Sequence, residues 1–101
     1  TWVACPISVT ECGARPVLVD LDPASLCMSP SSARAALTEH TKAIMIVHQY
    51  CTVADLDAFV ALSNETGIPL LEDCSQAHGA SLKGRRVGSF GKIGAFSFHN
   101  T

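Results

Sequence analysis

Three short runs of successive apolar residues punctuate the chain, and each closes in polar residues. Pro16-Val17-Leu18-Val19 runs into Asp20-Leu21-Asp22, Ala43-Ile44-Met45-Ile46-Val47 into His48, and Ile68-Pro69-Leu70-Leu71 into Glu72-Asp73. Being apolar at consecutive rather than alternate positions, they read as parallel strands covered on both faces. Helix-length segments lie between them. Ser29 before Pro30 supplies an N-cap with proline at the first helical position, and Ala33, Ala36 and Leu37 follow on one stripe. Thr52 and Asp55 have capping-box spacing; Val53, Leu56, Phe59 and Val60 give the next helix its apolar face, and Gly67 suits its stop. A shorter helix is expected within 7–13, and a last strand over 93–98 after a glycine-rich, hairpin-like stretch. This alternation predicts an α/β fold: an open, mostly parallel sheet with helices on both faces and right-handed crossovers. Ligands of such sheets collect outside the carboxyl ends of the strands, which directs attention to the polar residues closing each run.

Composition sharpens the picture. Of 101 residues, 48% are hydrophobic and only 16% charged, so the chain has little polar surface to show water. Apolar segments stand at both ends (Trp2-Val3-Ala4-Cys5 and 93–98), where a domain boundary would be polar. The expectation is an interior segment of a longer protein, with no domain boundary inside it. A net charge of −2 without a basic face argues against nucleic acid as a partner, and Lys83, Arg85 and Arg86, set among glycines, read as a solvated turn. No apolar run approaches the roughly 20 residues of a membrane helix, so no membrane partner is expected. Cys5, Cys12, Cys27, Cys51 and Cys74 are odd in number and scattered, which suits reduced thiols in a cytoplasmic protein.

Several residues invite chemical readings. Asp20 and Asp22 end an apolar run as a magnesium-dependent phosphatase's aspartates would, but Pro23-Ala24 follows and no companion motif is present. A strand end starting a turn is the better reading. Glu72 and Asp73 are either a solvated strand end or a place where a carboxylate in low dielectric holds a cation. His48 and His78 lack the i, i+3 or i, i+4 partner of a metal site and read as hydrogen-bonded histidines, either in the core or supporting site residues from behind, while His40 reads as an exposed helix end. No metal site is expected. Gly79, Gly84, Gly88, Gly91 and Gly94 fit no phosphate-binding glycine motif and read as turns.

Taken together, longer stretches resemble the DegT/DnrJ/EryC1/StrS family of pyridoxal-phosphate-dependent sugar aminotransferases. The stretches are 72–80 (EDCSQAHGA), 83–91 (KGRRVGSFG) and 94–99 (GAFSFH). Upstream, Thr1-Trp2-Val3-Ala4 resembles a family strand, Gly13-Ala14-Arg15-Pro16-Val17 the family's Gly-Ala-x-Pro-Val pattern, and Val53-Ala54-Asp55-Leu56-Asp57 a family helix. The likeness runs nearly end to end. It implies that residues 1–101 are part of the large cofactor-binding domain of a fold-type-I enzyme that works as a homodimer, with pyridoxal 5′-phosphate as cofactor. Asp73 matches the aspartate that pairs with the pyridine nitrogen, Gln76 the residue beside the 3′-oxygen, Trp2 the aromatic stacked on the ring, and Ser97 a phosphate-contacting hydroxyl. Glu72 is then the structural member of the acidic pair.

Ser97-Phe98-His99-Asn100-Thr101 resembles the stretch that immediately precedes the family's Schiff-base lysine, which would occupy position 102. Cys51 departs from the pattern, standing where the family has glycine. The resemblance implies transfer of an amino group from glutamate or glutamine to a keto sugar or keto cyclitol. The Cys74-Ser75-Gln76 and Leu26-Cys27-Met28 variants are similar to the aminocyclitol branch, which acts on scyllo-inosose-type ketones in antibiotic biosynthesis. Two alternatives share the cofactor: a sugar 3-dehydratase, with histidine at position 102, and a non-catalytic regulator.

Overall fold

The structure is a computed structural model that describes residues 2–99; Thr1, Asn100 and Thr101, which belong to two of the stretches above, lie outside it. Its backbone is a three-stranded parallel sheet. β1 (Ile44–Val47) pairs with β2 (Leu70–Asp73), and β2 with β5 (Ile93–Ala95), in the order β1-β2-β5. The connection from β1 to β2 is α3 (Leu56–Thr66), a strand–helix–strand unit of the expected kind. Between β2 and β5 the chain forms a small antiparallel hairpin of β3 (Ser81–Leu82) and β4 (Arg85–Arg86). Lys83 and Gly84 both have positive φ at its tip, 50° and 80°, as a two-residue hairpin turn matching strand twist requires.

The helices follow their local signals with one adjustment. α2 (Pro30–Ala36) begins at Ser29, whose hydroxyl accepts the Ser32 amide, with Pro30 in the first turn. α3 is capped by Asp55 itself, whose carboxylate accepts the Ala58 amide at 3.1 Å, so Thr52 is not the cap residue. Gly67 ends it in the left-handed conformation, φ 71°. Leu56, Phe59 and Leu62 are the buried stripe of α3 and pack with Ala33 of α2 against Ile44, Ile46 and Leu70. That fills one face of the sheet. On the other face Met45, Val47, Leu71 and Asp73 are only half-buried. α1 (Ala4–Glu11) meets this second face through Cys5 and buries none of its residues fully.

Two expected strands did not form. The Trp2-Val3-Ala4 stretch leads straight into α1, which starts three residues before the expected helix. Pro6 stands in its first turn, where a missing amide hydrogen costs no intrahelical bond. Residues 16–19 form no strand, and the pairing nearby is an isolated bridge from Leu21 to Met28. Leu18 is 83% exposed, and Pro16–Val19 lines one wall of a cleft of about 890 Å³ whose other walls include α1 and Met45 and Val47 of β1. An apolar run becomes a strand only beside a ladder partner, and the cleft keeps this one from β1. The last strand is shortened to three residues. Among the described residues no helix is long and apolar enough to cross a membrane.

Candidate active site

The carboxyl ends of β1 and β2 bring together His48, Glu72, Asp73, Cys74 and Gln76. Alternation along β2 sends Glu72 into the core and Asp73 to the half-covered face. Glu72 is 2% exposed, so it is not a solvated strand end. Its Oε1 accepts the backbone N–H groups of Phe90 (2.7 Å) and Gly91 (2.6 Å). Its Oε2 accepts that of Gly88 (2.7 Å) and lies 3.2 Å from His48 Nε2. Burial pushes this carboxyl up, but the donors, Gly91 first, outweigh it and hold it below the usual glutamate range. The 88–91 loop is therefore wrapped around a buried anion. Space enforces glycine there too: a Cβ at Gly91 would stand 2.5 Å from the Leu70 carbonyl oxygen.

His48 is fully buried, as expected of a core histidine. Its Nδ1 accepts the Ala54 amide at 3.1 Å, which leaves the proton on Nε2 to be donated to Glu72. His78 departs from that expectation: it is exposed, with its ring 5.5 Å from that of Phe96 and 5.7 Å from that of Phe98. The ligand atoms of His48, Glu72 and Cys74 lie within 4.8 Å of one another. They do not make a metal site. Both histidine nitrogens and both carboxylate oxygens are already engaged, and burial, then the charges of Glu72 and Asp73, pushes the Cys74 thiol up to about 11. Asp20 and Asp22 form the expected turn, Asp22 accepting the Ala24 and Ser25 amides. His40 is exposed beyond the end of α2, and Lys83, Arg85 and Arg86 sit on the exposed hairpin.

Asp73 is half-buried. Its Oδ1 accepts the Ser75 amide at 2.9 Å and its Oδ2 the Cys5 thiol at 3.2 Å. Burial raises this carboxyl, but the Ser75 and Cys5 donors prevail and keep it below the ordinary aspartate range. The result is an ionised carboxylate facing the open side of the sheet. Gln76 accepts the Tyr50 amide at 2.9 Å through its side-chain oxygen, while its carbonyl accepts the Cys51 amide at 3.1 Å. Its Nε2 group is then the part left to donate outward. Ser97 accepts the His99 amide at 3.2 Å and keeps its own proton to donate. Trp2, 74% exposed, stands just before α1, its carbonyl accepting the Cys5 amide. Among the described residues no hydrogen bond or ring contact joins Trp2 or Ser97 to Asp73 or Gln76. Of the four expected site residues, then, Asp73 and Gln76 stand at the end of one strand, and Trp2 and Ser97 lie on other segments with no direct bond to them.

The turn held by Gln76 is unusual. Thr52 N–H bonds to the Gln49 carbonyl at 2.7 Å across Tyr50 and Cys51, whose φ angles are 50° and 64°. Two consecutive side-chain-bearing residues thus occupy the left-handed region, which costs roughly 1 kcal/mol or more each. Cys51→Gly is expected to stabilise the protein by about 0.5–1 kcal/mol, after allowing for glycine's greater unfolded-state freedom. A thermal melt checks this; a fall in the midpoint would show that the cysteine is not strained.

The model of the DegT/DnrJ/EryC1/StrS aminotransferase family matches residues 1–101. The chain is 50% identical, over all 101 residues and 24% of the relative's length, to an L-glutamine:2-deoxy-scyllo-inosose aminotransferase of Streptoalloteichus tenebrarius. It is 48% identical over the same share to an L-glutamine:scyllo-inosose aminotransferase of Streptomyces griseus. The crystal structure of 3-amino-5-hydroxybenzoic acid synthase superposes on 99% of this chain, and 26% of its own, with a TM-score of 0.94 and 42% identity. The chain spans about a quarter of the length of the curated relatives it matches.

Proposed function

The chain belongs to the DegT/DnrJ/EryC1/StrS aminotransferase family, and from that premise we propose that it is part of the large pyridoxal-phosphate-binding domain of an aminotransferase moving an amino group from glutamine to an inosose-type keto cyclitol. The ketone and donor follow the names of the relatives. The observation that carries the cofactor reading is Asp73, an ionised carboxylate at the open end of the central strand. The other residues fit the same group. The Nε2 of Gln76 suits an anionic phenolic oxygen, the free proton of Ser97 suits a phosphate, and the indole of Trp2 offers a flat face to an aromatic ring.

Pyridoxal phosphate, when bound, supplies an electron sink for the pair released as a C–H bond of the amino donor breaks. Asp73 holds a proton on the ring nitrogen by charge, which makes that sink deeper. Gln76 and Ser97 orient by hydrogen bonds that act alike in ground and transition states. Two copies of the protein make the working unit, and the lysine that the family likeness puts at position 102 would take the proton from the donor carbon in the first half-reaction and return one to the ketone-derived carbon in the second. Glutamine and ketone go in; the 2-oxo acid and the aminated cyclitol come out.

The test uses the full-length protein. Glutamine alone is expected to convert the cofactor's absorption to that of its amine form, and an inosose-type ketone to restore it with release of the aminated cyclitol. Absence of any such change with amino donors would sink the transaminase reading. Histidine at position 102 would point to the sugar 3-dehydratase.

A further inference from the structure

The bond between Cys5 and Asp73 joins residues 68 positions apart. It ties the first turn of α1 to the carboxyl end of β2, where α1 buries no residue of its own. The carboxylate of Asp73 is held at both oxygens, by a backbone amide two residues on and by this thiol. Two donors on different oxygens fix the rotation of a carboxylate about its Cβ–Cγ bond, which a single donor leaves free. We propose that Cys5 is a positioning residue for Asp73: its thiol sets the plane of the carboxylate and docks the segment carrying Trp2 beside it.

This rests on the cofactor reading given above, and it ties two of that reading's groups together. Trp2 and Cys5 are joined by a backbone hydrogen bond of 3.3 Å, so the orientation of Asp73 and the approach of Trp2 share one anchor. The direction of the bond is unambiguous. Burial, and then the bond to Asp73, pushes the Cys5 thiol up to about 11, so it stays protonated at neutral pH and donates. A hydroxyl has the same donor geometry with a shorter reach; a methyl has none. Serine, but not alanine, should therefore replace the cysteine.

The experiment compares wild type, Cys5→Ser and Cys5→Ala as full-length protein, stripped of cofactor and titrated with pyridoxal phosphate. Cys5→Ala is expected to bind the cofactor about tenfold more weakly, the usual scale for losing one hydrogen bond to a charged group. It should also shift the pH at which the bound cofactor's visible absorption titrates, with Cys5→Ser within about threefold of wild type on both measures. Thermal midpoints of the cofactor-free variants separate positioning from packing. If Cys5→Ala matches wild type in affinity and spectrum, or if serine loses as much as alanine, the proposal is overturned while cofactor binding by the family site stands. If wild type itself takes up no cofactor, it is the functional reading that fails.

Discussion

Glu72→Ala is expected to destabilise the protein by about 3–5 kcal/mol, the largest stability loss of any single substitution in the site. The carboxylate takes four donors: three backbone amides of the 88–91 loop and the His48 Nε2–H. A donor left buried without a partner costs about 1–3 kcal/mol, and the loop amides recover part of that by turning to water. His48 has no such escape, since it is fully buried. Glutamine does not rescue the site. Each oxygen accepts two hydrogens, so either orientation of the amide sets its NH2 against two donors. Amide hydrogen exchange at Gly88, Phe90 and Gly91 gives the specific check, and unchanged protection in Glu72→Ala would remove the clamp. The pH dependence has a fixed sign. A carboxyl held below its ordinary range contributes stability that is present above the unfolded value and is lost as pH falls through the folded one. Wild type should therefore lose more stability than Glu72→Gln on acidification below the usual glutamate range.

That clamp shows where sequence reading stops. β1, β2, α2 and α3 were legible because their signals are local: apolar runs of strand length, Ser29 before Pro30, and Gly67 at a helix end. The apolar run at 16–19 carries the same signal and forms no strand, because pairing depends on a neighbour that the run does not encode. Asp55 displaced Thr52 as cap for a reason of geometry, since either side chain is suited to the role and only backbone direction decides. Asp73 and Gln76 are singled out by motif likeness, not by a local physical signal. The partners of Glu72 are backbone amides, which every residue has and no side chain announces. Cys5 was equally hidden: a thiol in an apolar stretch gives no sign of a carboxylate 68 residues on. At Cys51 the sequence did carry a signal, the departure from glycine, and its physical content is the φ of 64°.

Asp73→Asn is expected to lower kcat by about 10²-fold or more while leaving the thermal midpoint close to wild type, a loss of the size seen when a preorganised charge in a catalytic site is removed. Asparagine is the sharper probe because it keeps the shape. Its side-chain oxygen can still accept the Ser75 amide, and its NH2 can donate to the Cys5 sulfur where the carboxylate accepted the thiol, so both ties of this strand end persist, the second in weaker form. What disappears is the negative charge. In wild type burial works against that charge, but the Ser75 and Cys5 donors prevail and hold the carboxyl below the ordinary aspartate range, so it is ionised at neutral pH. A neutral amide cannot keep a proton on the ring nitrogen of the cofactor, and electrons released from the substrate carbon then have a poorer sink. The deficit belongs to the transition state, so kcat and kcat/KM should fall together while KM changes little. Steady-state rates with glutamine and the ketone, at saturating pyridoxal phosphate, decide it. A near-normal kcat in Asp73→Asn would leave Asp73 a structural residue and take away the main physical support for placing the ring at this strand end.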